Sequence, residues 1–350
     1  MKKTKQINVG GVLIGGGAPV SVQSMTNTKT EDVAGTVTQI KKLKEAGCQI
    51  VRIAVPNERA ADAIGKIKEA CGLPIVADIH FNYRLAVKAA ESGADKIRIN
   101  PGNIGGRDNV KAVVDACKKR GLPIRIGINS GSLEKRVMEK YGRATPEAML
   151  ESAMEHVRIL NSFDFDDICL SLKSSDVKST VEANIFARER VPYPLHIGVT
   201  EAGAGEGAII KSSVGIGALL LRGIGDTVRV SLTGDPVREV KAAIGILKAA
   251  GLRKDGVEII SCPTCGRTNF NLVALLEEVT EKLKDCKRDI KVAVMGCEVN
   301  GPGEAAAADY GIGGGAKYGI LFKKGEKVAR VPAEHMAEAL CKLIDEDGCK

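Results

Sequence analysis

The chain has 350 residues, 44% of them hydrophobic and 27% charged, with a formal net charge of +8 at pH 7. That length accommodates one large domain of roughly 250 residues and a smaller one of about 100. Aromatic residues are only 3% and tryptophan is absent, which argues against a single-strand nucleic-acid binder built on stacking platforms. Lys and Arg are spread through the chain and do not form one basic run, so a small phosphorylated substrate accounts for the excess charge better than a polymer. No apolar run approaches the length of a bilayer span, and Met1-Lys-Lys-Thr-Lys-Gln leads into a Gly-rich turn instead of an apolar core. The expectation is a cytoplasmic protein with no membrane segment, whose cysteines stay reduced.

In chain order, residues 1–18 read as a Gly-rich hairpin with Ile7-Asn-Val9 and Val12-Leu-Ile14 as its arms. Short β-branched runs follow at 20–24, 50–55, 75–79, 96–100, 124–129, 168–173, 195–199 and 227–232. They alternate with Ala-, Lys-, Glu- and Leu-rich helical patterns, such as 33–46, 60–70, 110–120, 146–161 and 237–250. Gly47, Gly72, Gly93, Gly121 and Gly251 stand where such helices end, matching the C-cap preference for glycine. Eight strand-plus-helix units predict a (β/α)₈ TIM barrel over 1–252, with parallel strands and right-handed crossovers. An open doubly wound sheet is the rival, but no G-x-G-x-x-G follows the first strand; Gly15-Gly16-Gly17 precedes it.

Barrel sites lie at the C-terminal ends of the strands, and there the sequence repeats itself. Arg52, Arg98, Arg125, Lys173 and Arg229 each sit within a strand pattern, with Asp78 and His80 ending the third strand and Glu201 following the seventh. A cation among apolar strand residues is costly unless paired. A ring of them predicts a bound anion, and guanidinium forks suit a diphosphate or bisphosphate, with Asn129, Ser231 and the loop 101–106 as neutral donors.

After Gly251 the composition changes. A polar linker, Arg253-Lys-Asp-Gly256, opens a compact α/β domain over 253–350, read as a strand, a Cys-x-x-Cys turn, a helix over 272–284, a second strand, a Gly-rich segment over 296–315, two strands and a last helix over 333–346. Cys262 and Cys265 in Cys-Pro-Thr-Cys-Gly-Arg-Thr, and Cys297 in Met-Gly-Cys-Glu-Val-Asn-Gly-Pro-Gly-Glu304, lie in Pro/Gly-rich turns directly after β-type runs. Such turns bring thiolates together as metal ligands. Three cysteines suit a cubane iron–sulfur cluster with Glu304 as a plausible fourth ligand; a zinc site completed by a distant His335, or three unrelated cysteines, are the other readings.

The eighth helix runs against its strand and returns the chain to the bottom of the barrel, away from the anion site at the top. A head-to-tail homodimer, each barrel mouth closed by the partner's metal domain, resolves that separation and makes the active sites composite.

Ala77-Asp-Ile-His-Phe81, Ile97-Arg-Ile-Asn-Pro-Gly-Asn103, Gly198-Val-Thr-Glu-Ala-Gly203 and the two cysteine segments closely resemble the 4-hydroxy-3-methylbut-2-enyl diphosphate synthase family, in its bacterial two-domain form. The resemblance covers the whole chain, without a broken motif. It implies a [4Fe-4S] cluster on Cys262, Cys265 and Cys297, with Glu304 as the fourth ligand before substrate binds. It also implies that Arg52, Arg98, Arg125, Asn129, Lys173, Arg229 and Ser231 hold the diphosphate of 2-C-methyl-D-erythritol 2,4-cyclodiphosphate, with Asn300 and Glu201 at the reacting end and flavodoxin or ferredoxin as electron donor. A phosphate- or pterin-binding barrel for group transfer, with a structural zinc domain, is the alternative; it would need no reductant.

Overall fold

The computed structural model describes residues 3–100, 102–268, 270–297 and 308–348. The chain divides into two compact units, Met1–Arg253 and Lys254–Lys350.

The first unit opens with an antiparallel hairpin, β1 (Ile7–Val9) and β2 (Val12–Ile14). Its apolar side chains Ile7, Val9 and Ile14 pack with Ile50, Val76 and Cys169, all from barrel strands, so the hairpin plugs the N-terminal end of the barrel. The barrel strands are β3 (Ser21–Met25), β4 (Ile50–Ala54), β5 (Ile75–Asp78), β6 (Lys96–Ile99), β7 (Ile124–Asn129), β8 (Ile168–Lys173), β9 (His196–Ile197) and β10 (Thr227–Val228). They pair in parallel in the order β8-β7-β6-β5-β4-β3-β10-β9, and a parallel bridge between Leu170 and Leu195 closes the ring. This is the expected (β/α)₈ barrel and not an open doubly wound sheet.

Helices cover its outside: α1 (Val33–Glu45), α2 (Glu58–Cys71), α3 (Tyr83–Glu91), α4 (Arg107–Arg120), α5 (Lys135–Tyr141), α6 (Pro146–Asn161), α7 (Val177–Arg190), α8 (Gly205–Leu220) and α9 (Pro236–Ala249). Several begin where a side chain satisfies an orphan amide; Asp32, Asn57, Thr145 and Asp176 each accept from an N–H in the first turn. Alternate strand residues such as Ile53, Ile97, Ile126 and Leu170 join the helices in one continuous core. The other alternate set therefore points into the barrel, which is what aims the cations inward.

The second unit is a mixed sheet in the order β11 (Val257–Ser261), β12 (Ile290–Met295), β13 (Tyr310–Gly314), β14 (Tyr318–Lys323) and β15 (Glu326–Pro332). The first three strands are parallel and the last two antiparallel. Helices α10 (Leu272–Leu283) and α11 (Met336–Glu346) cover one face through Leu275, Val279, Leu340 and Ile344. Strand β13 corrects the reading of 296–315 as an unbroken Gly-rich segment: pairing on both edges, to β12 and β14, makes Tyr310-Gly-Ile-Gly-Gly a central strand. The ladders of β9 and β10 are also shorter than expected.

Candidate functional site

At the C-terminal ends of the barrel strands lies a cavity of about 240 Å³. Arg52, Asp78, His80, Arg98, Arg125, Asn129, Lys173, Arg229 and Ser231 all line it, joined by Met25, Ser171 and Thr200. The sequence-derived ring of cations is thus one place in space.

Asp78 is its internal anchor. Arg98 Nη1 lies 3.1 Å from one carboxylate oxygen, with Arg52 Nε at 3.9 Å and His80 Nε2 at 3.4 Å from the other. Burial opposes ionisation of Asp78, but Arg52, the hydrogen bond from His80 and Arg98 prevail and hold its carboxyl far below the ordinary range. Arg52 also donates to Met25 Sδ at 3.0 Å, and Arg125 to Gln23 Oε1 at 3.4 Å.

Glu239, a residue the sequence reading missed, supplies the second carboxylate. It reaches from α9 into the wall, is 3% exposed, and takes Arg229 Nε and Nη2 at 3.2 Å each. Ser24 Oγ and the Leu232 amide also donate to it, both at 3.0 Å. Not every cation therefore waits for an external anion: Arg52, Arg98 and Arg229 have internal carboxylates.

Lys173 and Arg125 differ, since neither has a carboxylate within ion-pair distance among the described residues. Burial, then Arg229, Arg125 and Arg52, push the Lys173 pKa well down; burial, then Arg98, bring Arg125 down to about 10. The site is a cationic concavity whose charge suits a multivalent anion.

Glycines make the room. A Cβ on Gly127 would stand 2.5 Å from Arg98 Nε, and one on Gly198 would stand 2.3 Å from the Arg229 carbonyl and 2.7 Å from Lys173 Nζ. Glu201 follows the cavity residue Thr200; it is exposed and holds a left-handed backbone with φ of 51°. Strain of that kind in a non-glycine residue gathers at functional loops. Of the described loop residues 102–106, the Gly102 amide is spent on Asn100 Oδ1 at 3.1 Å, and none of these five lines the cavity.

In the second unit, Ser261 of β11 pairs with Val294 of β12, so the turns carrying Cys262 and Cys297 leave the same edge of the sheet. The Gly296 amide donates to Cys262 Sγ at 3.2 Å, and a Cβ on Gly296 would meet Thr268 Oγ1 at 2.9 Å, so the two turns adjoin. Thr268 closes the Cys-x-x-Cys turn by donating its amide to the Cys265 carbonyl at 2.9 Å. Among the described residues, no group of three His, Cys, Asp or Glu side chains forms a ready metal cage. Asn300 and Glu304 lie outside the described residues. His335, the candidate zinc ligand, is engaged by Glu334 and Glu338 at 3.7 and 3.5 Å. Soft sulfur donors in turns, one already receiving a backbone amide, fit the chemistry of an iron–sulfur group.

Barrel, cationic mouth and cysteine-bearing second unit define a two-unit TIM-barrel protein. The GcpE TIM-barrel domain model matches residues 4–244 and the GcpE protein C-terminal domain model residues 258–346; the chain belongs to the GcpE family. Curated proteins named 4-hydroxy-3-methylbut-2-en-1-yl diphosphate synthase (flavodoxin) are close to it. That of Caldanaerobacter subterraneus subsp. tengcongensis is 57% identical, over 98% of this chain and 97% of its own. That of Clostridium perfringens is 56% identical, over 98% and 99%. Among solved structures, a truncated 3-deoxy-D-arabino-heptulosonate 7-phosphate synthase from Thermotoga maritima aligns with a TM-score of 0.52 at 15% identity, over 71% of this chain and 94% of that one. A Yersinia pestis dihydropteroate synthase gives 0.50 at 11%, over 70% and 97%. At that identity they speak for the barrel fold alone.

Proposed function

We infer that this chain is a 4-hydroxy-3-methylbut-2-enyl diphosphate synthase, reducing 2-C-methyl-D-erythritol 2,4-cyclodiphosphate in isoprenoid precursor biosynthesis. The cation-lined cavity carries the reading: it presents Arg125 and Lys173, which have no carboxylate within ion-pair distance among the described residues, to a doubly anionic substrate. Two electrons and two protons open the ring and release water. Cleaving the ring C–O bond leaves a terminal phosphate with an additional ionisable oxygen, so negative charge grows where the cations already stand.

Arg52, Arg98, Arg125, Lys173 and Arg229 clamp the diphosphate, with Asn129 and Ser231 as neutral donors and Asp78 and His80 aiming the guanidinium groups. Glu201, on its strained turn, is proposed to deliver a proton to the departing hydroxyl. A [4Fe-4S] cluster on Cys262, Cys265 and Cys297, with Glu304 as exchangeable fourth ligand and Asn300 nearby, would supply electrons singly from flavodoxin, the donor in the relatives' names.

We propose a homodimer with composite sites, on the chain direction argued above. Self-association is further supported by the apolar strip of Ile210, Val214 and Leu221 on and just after α8, which are 62%, 57% and 76% exposed. A cytoplasmic location suits the flavodoxin donor, although the expectation that every cysteine stays reduced is corrected at Cys286, which is disulfide-bonded; among the described residues no helix is long and apolar enough to cross a membrane. Nothing here favours zinc-supported group transfer.

Iron and sulfide analysis of anaerobically purified protein tests the cofactor. About four of each per chain are expected; stoichiometric zinc would overturn the reductive reading.

A further inference from the structure

The inward positions of a (β/α)₈ barrel are ordinarily filled by branched apolar side chains. Here the tier below the mouth is not. Lys96 opens β6 two residues before Arg98 and on the same inward face. It is fully buried, and its Nζ has no hydrogen-bond partner among the described residues. Its register neighbour on β5 is Val76, part of the apolar plug at the barrel floor.

The groups that bear on it electrostatically are Arg52 from β4, Arg125 from β7 and the Cys169 thiol from β8. His196 on β9, fully buried and kept neutral by burial and the surrounding cations, feels it in turn. Asp226, which precedes β10, bears on Cys169 but is occupied by Thr4 Oγ1 and the Leu195 amide. Packing alone would be served better by an apolar residue, because an unpaired buried ammonium beside two guanidinium groups is destabilising. Arg52 and Arg125 line the cavity, so an anion bound there also acts on Lys96.

Building on the diphosphate reading above, we propose that Lys96 is a positioning residue of that site, an ammonium in the tier beneath the anion that takes up its proton as the diphosphate enters. Burial foremost, with Arg125 and Arg52 adding and Cys169 opposing, brings its pKa down to about 8 in the empty site. A diphosphate above reverses the balance and favours the charged form.

The test is calorimetric titration of the full chain with the cyclic diphosphate, without reductant, at pH 8 in buffers of differing ionisation enthalpy. The ligand's own acidic groups do not titrate there. Expected in the wild type is proton uptake that includes about half a proton per ligand from Lys96, beside what Lys173 in the cavity wall takes up. Lys96→Met should take up about half a proton less than the wild type, because Lys173 responds alike in both, and bind about tenfold more weakly; Lys96→Arg, charged throughout, should show the same deficit and stay within about threefold of wild-type affinity. Binding without proton uptake by the wild type, or uptake unchanged in Lys96→Met, overturns the proposal alone. Failure of the wild type to bind overturns the diphosphate reading and the proposal with it.

Discussion

Glu239 on α9 takes Arg229 of the barrel wall through paired contacts of 3.2 Å, fastening the last cation of the ring to the last helix of the barrel. The same carboxylate receives Ser24 Oγ and the Leu232 amide, so it is a hub and not a lone ion pair. Glu239→Ala should lower unfolding free energy by about 3 kcal/mol, the usual cost of stranding a buried partner. Glu239→Gln should lose less, yet raise KM for the cyclic diphosphate about tenfold as Arg229 loses its orientation. Chemical denaturation and steady-state kinetics check the two effects separately.

Lys173 is a cation with cationic neighbours, and the fold holds it against its own stability. Lys173→Met should raise the stability of the empty protein by about 1 kcal/mol while weakening substrate binding by about 2 kcal/mol or more. A thermal melt with and without the cyclic diphosphate reads both. Equal melting temperatures for the two empty proteins would contradict the strain argued here.

Gly127 tests the geometry without touching a charge. Its added methyl in Gly127→Ala would meet Arg98 Nε at 2.5 Å, so Arg98 must leave Asp78 or the strand must shift. Affinity for the cyclic diphosphate should fall about tenfold with iron content unchanged, because the cysteine turns belong to the other unit.

Two buried ionisable groups each make stability rise with pH, in separate windows. Asp78 has a folded-state pKa depressed below its unfolded value, so its contribution is complete above about pH 4 and is lost only in strong acid. Lys96 is a base whose folded pKa is lowered to about 8, so its penalty is full below that pH and is relieved as pH rises towards the unfolded value of 10.5. Between pH 8 and 10 the Lys96→Met protein should therefore gain less stability than the wild type. Denaturation midpoints across that window decide it.

Cys297→Ser separates the two halves of the account. Iron and turnover should both be lost, while the cyclic diphosphate binds the barrel within about threefold of wild-type affinity, since no cysteine among the described residues lines the cavity. Equilibrium binding without reductant is the check.

The barrel and its ring of cations were legible because burial rules are strict inside a strand. Arg98 in Ile-Arg-Ile and Arg125 in Ile-Arg-Ile interrupt a hydrophobic run at the inward period, and only a paired or anion-facing cation survives there. Glu239 was not legible: in Pro-Val-Arg-Glu-Val-Lys it looks like any solvated helix acid, and only the crossing of α9 over β3 turns it inward. Strand β13 was missed for the opposite reason. Gly-Ile-Gly-Gly has almost no side-chain pattern, and its structure comes from pairing on both edges with strands distant in sequence. Thr268, which closes the cysteine turn, carries no signal beyond its place after the motif.

The measurement that bears most directly on the account is anaerobic conversion of 2-C-methyl-D-erythritol 2,4-cyclodiphosphate by the iron-loaded protein with reduced flavodoxin, followed by product identification. The account predicts 4-hydroxy-3-methylbut-2-enyl diphosphate, one molecule for every two electrons consumed, and none without the reductant or from the Lys173→Met, Arg125→Ala double variant at substrate concentrations that saturate the wild type. Unreacted cyclic diphosphate from iron-loaded, fully reduced protein, or turnover independent of the reductant, would contradict it.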